Sequence, residues 1–421
     1  MIDIAGVALH VAAMKRNQWK SAGELRRIRE EKLRSLVRHC KANVPFYKRL
    51  HDGLPDIRDM SDLESIKPLM KEDIRGREKE LIARNAGGKL TEMRSSGSTG
   101  IPLSTYLTGR ESAYILAIEA HQYTEAGLSP FHKQARICDY RLGDGVLQRL
   151  GLFRRSYIDV QGDLEGIYGD IAGIRPDVIH GYPSVLTPLA RMNAGRMKVK
   201  IVFSASETLP DNARRAITSS FGCDLRNMYG SMETSWIAWE CEEGSMHINS
   251  DSLIAEVVDK DGMQAAEGAK GAILITPLWK KAMPLLRYRV GDRGAISHGC
   301  GCGRESQIFS SLEGREDDWI VLPSGKVRSA RSINLMDDIR GFGEYQIVQE
   351  QRDCFVFRYS PLGGPLDERT RAEITRRIKA GCLGEPVRVE FEEAKPRRGA
   401  AGKIRTVISK VRMARDTTAW A

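Results

Sequence analysis

Two groups of residues in this chain have the types and spacing to do chemistry. The first is the run Arg94 to Tyr106, RSSGSTGIPLSTY. Backbone N–H groups and hydroxyls in such a run can donate to phosphate oxygens, although an ordinary turn has the same composition. The phosphate loop of common nucleotide hydrolases needs Lys-Ser or Lys-Thr after its glycines. Here Gly100 is followed by Ile101 and Pro102, which excludes that mechanism. The second group is Cys241 and His247 in CEEGSMH with Cys300 and Cys302 in CGCGR. Three thiolates and one imidazole make a closed tetrahedral zinc site, structural because no position is left for water. The alternatives are incidental cysteines in Gly-rich turns, or Cys300 as a nucleophile, for which the sequence offers no obvious basic partner. The tight spacings favour zinc.

These residues need elements to hold them. Over 22–44, Leu25, Ile28, Leu33, Leu36, Val37 and Cys40 form one apolar stripe, predicting a helix that Pro45 stops. Ser61 and Glu64 stand at capping-box spacing before a further short helix. Ser112 to Glu125 is helical in pattern. VIHGY (178–182), KIVFSA (200–205) and AILIT (272–276) read as buried strands, with helical stretches at Val185 to Asn193 and Asp211 to Phe221. Strand alternating with helix predicts an α/β fold covered on both faces, whose ligands gather where strands end in loops. Around residue 313 the pattern changes to a small α+β unit: YQIVQEQRDCFVFRY, a helix at Glu368 to Ala380, the strand VRVEF and the basic loop EEAKPRRGAAGK. The boundary is expected at 314–318, giving a large domain over 1–313 and a small one over 314–421.

The 421 residues are ample for two domains. With 41% apolar and 29% charged residues the chain is globular in composition, not disordered. No apolar run reaches the roughly 20 residues that span a bilayer. The start, MIDIAGVALHVAAMK, carries Asp3 and no basic leader, so a cytoplasmic location is expected. The formal charge of +10 is spread along the chain rather than blocked, and no nucleic-acid module is recognisable.

Four further segments change the weight of the Ser-Gly run: SASETLP (204–210), MYGSMETSW (228–236), LRYRVGDRGAI (286–296), and the pair LEGREDD (312–318) with AAGKIRTV (400–407). In this order they resemble the adenylate-forming superfamily of acyl-CoA synthetases and adenylation domains. VRHCKANVPFYKRL and LESIKPLMKEDIR resemble its phenylacetate–CoA ligase group. IHGYPSVL and ECEEGSMHINSD are most similar to the branch of CapK-type proteins and coenzyme F390 synthetases. The resemblance covers nearly the whole chain. It implies a large N-terminal domain of mixed sheets and helices with a small mobile α+β C-terminal domain.

It also implies roles. Ser95, Ser96, Gly97, Ser98, Thr99 and Gly100 would hold the leaving phosphates of ATP, in a site that also draws on Ser206, Glu207, Gly230 and Ser231. Tyr229 would lie against adenine, Asp292 and Arg315 on the ribose, and Glu233 would hold Mg²⁺. Lys403 would meet negative charge building up at the α-phosphate, and Asp317 would be the hinge on which the small domain turns. Relatives often carry Lys where this chain has Ile101, so the triphosphate must rely more on Mg²⁺, backbone amides and Arg94. The acid would sit among Tyr182, Pro183, Ser184, Ser204, Ala205, Trp236 and Ile237, whose aromatic members suit an aromatic acid. Tyr182 and Trp236 could equally be core packing. The implied reaction is activation of a carboxylic acid by ATP and transfer to coenzyme A, by a monomer or homodimer. An amine, a carrier-protein thiol, or AMP transfer itself are the other acceptors the motifs allow. A zinc-containing interaction protein with a dead nucleotide fold is disfavoured by the presence of Lys403, Glu233 and Asp292.

Overall fold

Ser21 sets the first long element. Its hydroxyl accepts from Glu24 N at 3.3 Å while the Glu24 carboxylate accepts from Ser21 N at 3.1 Å, a reciprocal cap on the helix Ala22–Asn43. Leu25, Leu33, Leu36, Val37 and Cys40 are buried along it, as the stripe requires. Pro45, expected only to stop this helix, also opens the next, Pro45–Leu50, where a first-turn residue needs no N–H. The Ser61 and Glu64 spacing does not produce a capping box. Ser61–Ser65 is a 3-10 turn without a side-chain cap, and the Asp62 carboxylate instead takes the backbone N–H of Arg58 at 2.7 Å. The helix expected from Ser112 begins earlier, as Gly109–Glu125, because Thr108 and Glu111 cap it reciprocally.

The structure is a computed structural model and describes residues 3–50, 54–94, 103–138, 148, 151–160, 162, 164–315, 319–333, 336, 339–398 and 404–411. The chain forms two compact units: Met1–His132, Gly143–Arg154 and Arg226–Leu312 in the first, and Lys133–Leu142, Arg155–Leu225 and Glu313–Ala421 in the second.

The first unit carries a run of strands in the order Leu253–Val258, Gly271–Pro277, Tyr288–Ser297, Ile308–Arg315, Met246–Ile248, Ser235–Glu240, Asp224–Ser231. The pairings of Gly271–Pro277 with both its neighbours are antiparallel, so this strand, read from sequence beside the two α/β strands, pairs in the opposite sense to them. It is buried along its whole length, and a continuous apolar run cannot distinguish the two cases. The N-terminal helices close the unit: Leu33, Leu36, Phe46 and Tyr47 share a core with Leu63, Ile254, Leu285 and Leu286.

The second unit holds the α/β pattern proper. Ile201–Ala205, Val178–Gly181, Gln134–Cys138 and Arg155–Asp159 lie side by side and parallel, with Val178 opposite Ile201 and Gln134 opposite Val178. Leu164–Ile174, Pro183–Asn193 and Asp211–Phe221 are its helices, and Ile137, Ile179, Leu186, Val202, Ile217 and Phe221 its core. The residues expected to form the small domain lie in this unit with a core of their own, including Phe342, Ile347, Phe355, Phe357, Ile374 and Ile378. There the hairpin Phe342–Gln351 and Cys354–Pro361 is flanked by parallel strands Val407–Ser409 and Arg388–Glu393, with the helix Glu368–Gly381.

One buried ion pair ties the first unit together. Arg287, 1% exposed, meets Glu256 at 2.9 Å and donates to the carbonyls of Glu64 (3.1 Å) and Ile66 (2.8 Å). Burial pushes the Glu256 carboxyl up, and the guanidinium opposes that. Replacing Glu256 by Ala leaves the guanidinium buried without its counter-charge. The expected cost is about 3–5 kcal/mol of stability, read as a lower urea midpoint, while Glu267→Ala on an exposed carboxylate should shift the midpoint little.

Candidate active site and Cys/His cluster

The residues of the first unit expected at a nucleotide site come from two strands far apart in sequence. Tyr229 lies near the end of Asp224–Ser231 and Asp292 in the middle of Tyr288–Ser297. The Tyr229 hydroxyl donates to Asp292 Oδ2 at 2.7 Å, and its ring meets Phe309 edge-on at 5.5 Å. Four strand intervals separate these two strands in the sheet order, so a flat sheet would hold them about 19 Å apart. The sheet therefore curls, helped by irregular register at Tyr229/Gly230 and at Ala272/Leu274. Gly230 is required here: a Cβ would come within 2.5 Å of the Ser235 carbonyl oxygen on the paired strand.

Glu233 follows on the tight turn after Asp224–Ser231. The turn is fixed by Ser231 Oγ, which accepts from Thr234 N at 3.1 Å and lies 2.9 Å from Thr234 Oγ1. Ser235 leaves it at a left-handed φ of 63°. The Glu233 carboxylate stands 3.8 Å from Lys71 Nζ, and its carbonyl accepts from the buried Lys280 ammonium at 2.7 Å. Burial pushes the Lys280 pKa down to about 8 against the charges of Glu111 and Glu233. A lone carboxylate suits Mg²⁺, which takes one or two carboxylates and fills its other positions with phosphate oxygens and water.

In the second unit, Ser206 sits just past the end of Ile201–Ala205 at a left-handed φ of 69°. The Glu207 carboxylate accepts from Ser184 N and Ser184 Oγ, both at 2.9 Å, and so occupies the start of the helix Pro183–Asn193. Tyr182 and Pro183 are buried at that helix start, and Tyr182 packs in the unit's core. Ser204 and Ala205 end their strand buried, and Ser204 Oγ has no hydrogen-bond partner among the described residues. The remaining acid-pocket candidates, Trp236 and Ile237, belong to the first unit, where Trp236 packs against Met14, Ala117 and Ile118. The backbone of Arg315 ends the strand Ile308–Arg315. Ser95, Ser96, Gly97, Ser98, Thr99, Gly100, Asp317 and Lys403 lie outside the described residues.

The four cysteine and histidine residues converge. Ile308–Arg315 pairs antiparallel with Met246–Ile248, placing Ile308 opposite His247 and so carrying the CGCGR turn to the CEEGSMH turn. Cys241 Sγ and Cys300 Sγ are 3.7 Å apart, Cys302 Sγ and His247 Nε2 3.3 Å apart, and all four donor atoms lie within 4.8 Å of one another. Tetrahedral bonds to zinc give S···S edges of about 3.8 Å and S···N edges of about 3.6 Å, so the donor set fits that ion. His247 Nδ1 is 2.7 Å from Ser306 Oγ, which orients the ring with Nε2 toward the sulfurs. Burial, with the Arg304 charge, brings the His247 pKa down to about 4, leaving the imidazole neutral as a ligand must be. Burial pushes the Cys241 thiol up to about 12. At Cys300 burial acts in the same sense but is outweighed by hydrogen bonds from Ser245 and Cys302, and the thiol is lowered.

Three residues that motif reading passed over hold these sites, Arg304 at the cysteine turn and Glu111 and Lys280 at the Glu233 turn. Arg304 donates to Gln18 (2.8 Å), Glu242 (2.9 Å) and Glu125 (3.1 Å) and stacks over Trp19 and Trp239. It thereby joins the cysteine turn to the end of the N-terminal helix Ile4–Asn17, at Gln18, and to Gly109–Glu125. Glu111 accepts from Lys281 N and Ala282 N at 2.6 and 2.8 Å. Its capping-box position after Thr108 was a usable signal. Lys280 stood in a lysine doublet with nothing to mark it as buried.

No family model matches the chain. The phenylacetate–coenzyme A ligase of Thermus thermophilus is 29% identical over 71% of this chain and 72% of that protein. That of Escherichia coli is 27% identical over 72% and 74%. Protein CapK of Staphylococcus aureus is 22% identical over 79% and 76%. Among solved structures, 2-hydroxyisobutyryl-CoA ligase in the postadenylation state shares the fold at a TM-score of 0.78, over 93% of this chain and 90% of that one, with 19% identity. The sequence motifs, the relatives and the fold point the same way: the chain is similar to the phenylacetate–CoA ligase group of adenylate-forming enzymes.

Proposed function

We propose that this protein is an AMP-forming ligase that activates an aromatic carboxylic acid with ATP and transfers it to the thiol of coenzyme A. The observation that carries the reading is the 2.7 Å hydrogen bond between Tyr229 and Asp292, which brings two expected nucleotide contacts from separate motifs into one place, in the unit that also holds Glu233. The similarity to ligases that act on phenylacetate supports the aromatic acid.

In the first half-reaction a carboxylate oxygen attacks the α-phosphorus, the bond to the β-phosphate oxygen breaks, and pyrophosphate leaves. Tyr229 would present its ring to adenine and Asp292 would accept from the ribose hydroxyls. The carboxylate of Glu233 would hold Mg²⁺, which supplies positive charge to the phosphate oxygens. Lys403 would approach the α-phosphate and the acyl oxygen as charge develops there. Such catalysis is positioning and charge neutralisation rather than covalent chemistry on the protein. In the second half-reaction the thiolate attacks the acyl carbon and AMP leaves. For one site to serve both steps Lys403 must withdraw, and rotation of residues 314–421 about Asp317 would withdraw it. The reading places the enzyme in a reducing cytoplasm, and Cys241, His247, Cys300 and Cys302 around a structural zinc ion.

Lys403→Ala should lower ATP–pyrophosphate exchange with the preferred acid by about 100-fold or more and leave ATP binding nearly unchanged. Wild-type exchange in that variant, or no exchange by the native enzyme across a panel of aromatic acids, would sink the assignment.

Protein purified without added metal should contain about one zinc per chain, and chelation should lower the thermal midpoint. Absence of metal together with freely titrating Cys241, Cys300 and Cys302 in the folded protein would remove the site.

A further inference from the structure

Lys280 has no role in the chemistry just described, yet it is among the most buried side chains of the molecule, 1% exposed. Sequestering an ammonium from water is costly unless it is hydrogen-bonded and its charge is met. Its ammonium donates to the backbone carbonyl of Glu233 at 2.7 Å, and the Glu111 and Glu233 carboxylates supply the compensating charge. The bond is to the main chain of the turn, so it fixes where the turn lies and leaves the Glu233 carboxylate available.

The base from which Lys280 reaches is itself fixed. Glu111 accepts the N–H groups of Lys281 and Ala282 through one carboxylate oxygen, at 2.6 and 2.8 Å. Through the other it accepts Thr108 N and Thr108 Oγ1, at 2.7 and 2.8 Å. A continuous path of short hydrogen bonds thus runs from Thr108, through Glu111 and the 280–282 backbone, to the Glu233 turn. The turn's internal bond, between Ser231 and Thr234, spans the same residue from the other side.

We infer that Lys280 is a positioning residue for Glu233: its buried ammonium holds the main chain of the 231–235 turn at the place where the carboxylate meets Mg²⁺·ATP. The inference rests on the adenylate-forming reading for its catalytic consequence and on the geometry alone for the holding of the turn. Lys71, by contrast, meets the carboxylate of Glu233, at 3.8 Å.

The test is Lys280→Met, close in length and without a donor, in the full chain. Amide hydrogen exchange over 231–235 should quicken about tenfold or more, while strands such as Leu253–Val258 keep their protection. In ATP–pyrophosphate exchange the Mg²⁺ concentration for half-maximal rate should rise by a similar factor, about tenfold, with the KM for the acid within about twofold. A residue that merely fills the core would slow both dependences alike or neither. If Lys280→Met does not fold, Lys280→Gln, which keeps an N–H donor on a shorter uncharged chain, should show the same signs more weakly. Unchanged exchange over 231–235, or quickened exchange with a native Mg²⁺ dependence, overturns the inference. Absence of pyrophosphate exchange in the native protein overturns the ligase reading instead, and the hydrogen-exchange comparison still decides whether Lys280 holds the turn.

Discussion

The curl of the first unit's sheet is the constraint on which the site depends. Tyr229 and Asp292 lie on strands four intervals apart and still share a 2.7 Å hydrogen bond. No choice of side chain could bridge that gap across a flat sheet, since a tyrosine spans only a fraction of about 19 Å. The backbone has to supply the closure. Irregular register at Tyr229/Gly230 adds local twist, and the absence of a side chain at Gly230 lets the paired strand lie against it. The turn that carries Glu233 follows directly, so the same irregularity aims both the tyrosine and the carboxylate.

The Cys/His cluster sits on that sheet and depends on one short pairing. Met246–Ile248 and Ile308–Arg315 meet over few residues, and that contact decides whether CEEGSMH and CGCGR share a site. Three thiolates and a neutral imidazole around a divalent ion would carry a net negative charge. Arg304, 4% exposed and two residues from Cys302, is a nearby positive group, and it is bonded to Gln18, Glu242 and Glu125. The cluster is therefore wired to the N-terminal helix and to Gly109–Glu125. A mechanical role, bracing the helices that pack on the sheet, follows from those contacts more directly than a chemical one.

Buried charge recurs as the organising device of the first unit. Arg287 with Glu256 and Arg304 with Glu125 each link segments distant in sequence. Each is hydrogen-bonded as well as paired, the condition under which buried charge is tolerated. The cost of losing one partner is high, which makes such pairs strict in geometry. Strict geometry is what a reaction relying on positioning needs.

The sequence by itself pointed to the kind of chemistry and to the residues that could carry it. The ordered motifs carried the resemblance to the superfamily, and periodicity located the helix Ala22–Asn43 and the buried strands around 178–181 and 201–205, because those elements follow local apolar spacing. The cysteine and histidine spacings named the ligand set. Only the tertiary structure decided that Gly271–Pro277 pairs antiparallel with both neighbours, that Tyr229 reaches Asp292, and that Lys280, Glu111 and Arg304 are buried. The physical reason is common to all three. A buried apolar strand looks the same in either kind of sheet, and a lysine or arginine looks solvated until its counter-charge is brought in from another part of the chain. Those facts depend on pairing between segments tens to hundreds of residues apart, and no local pattern records it.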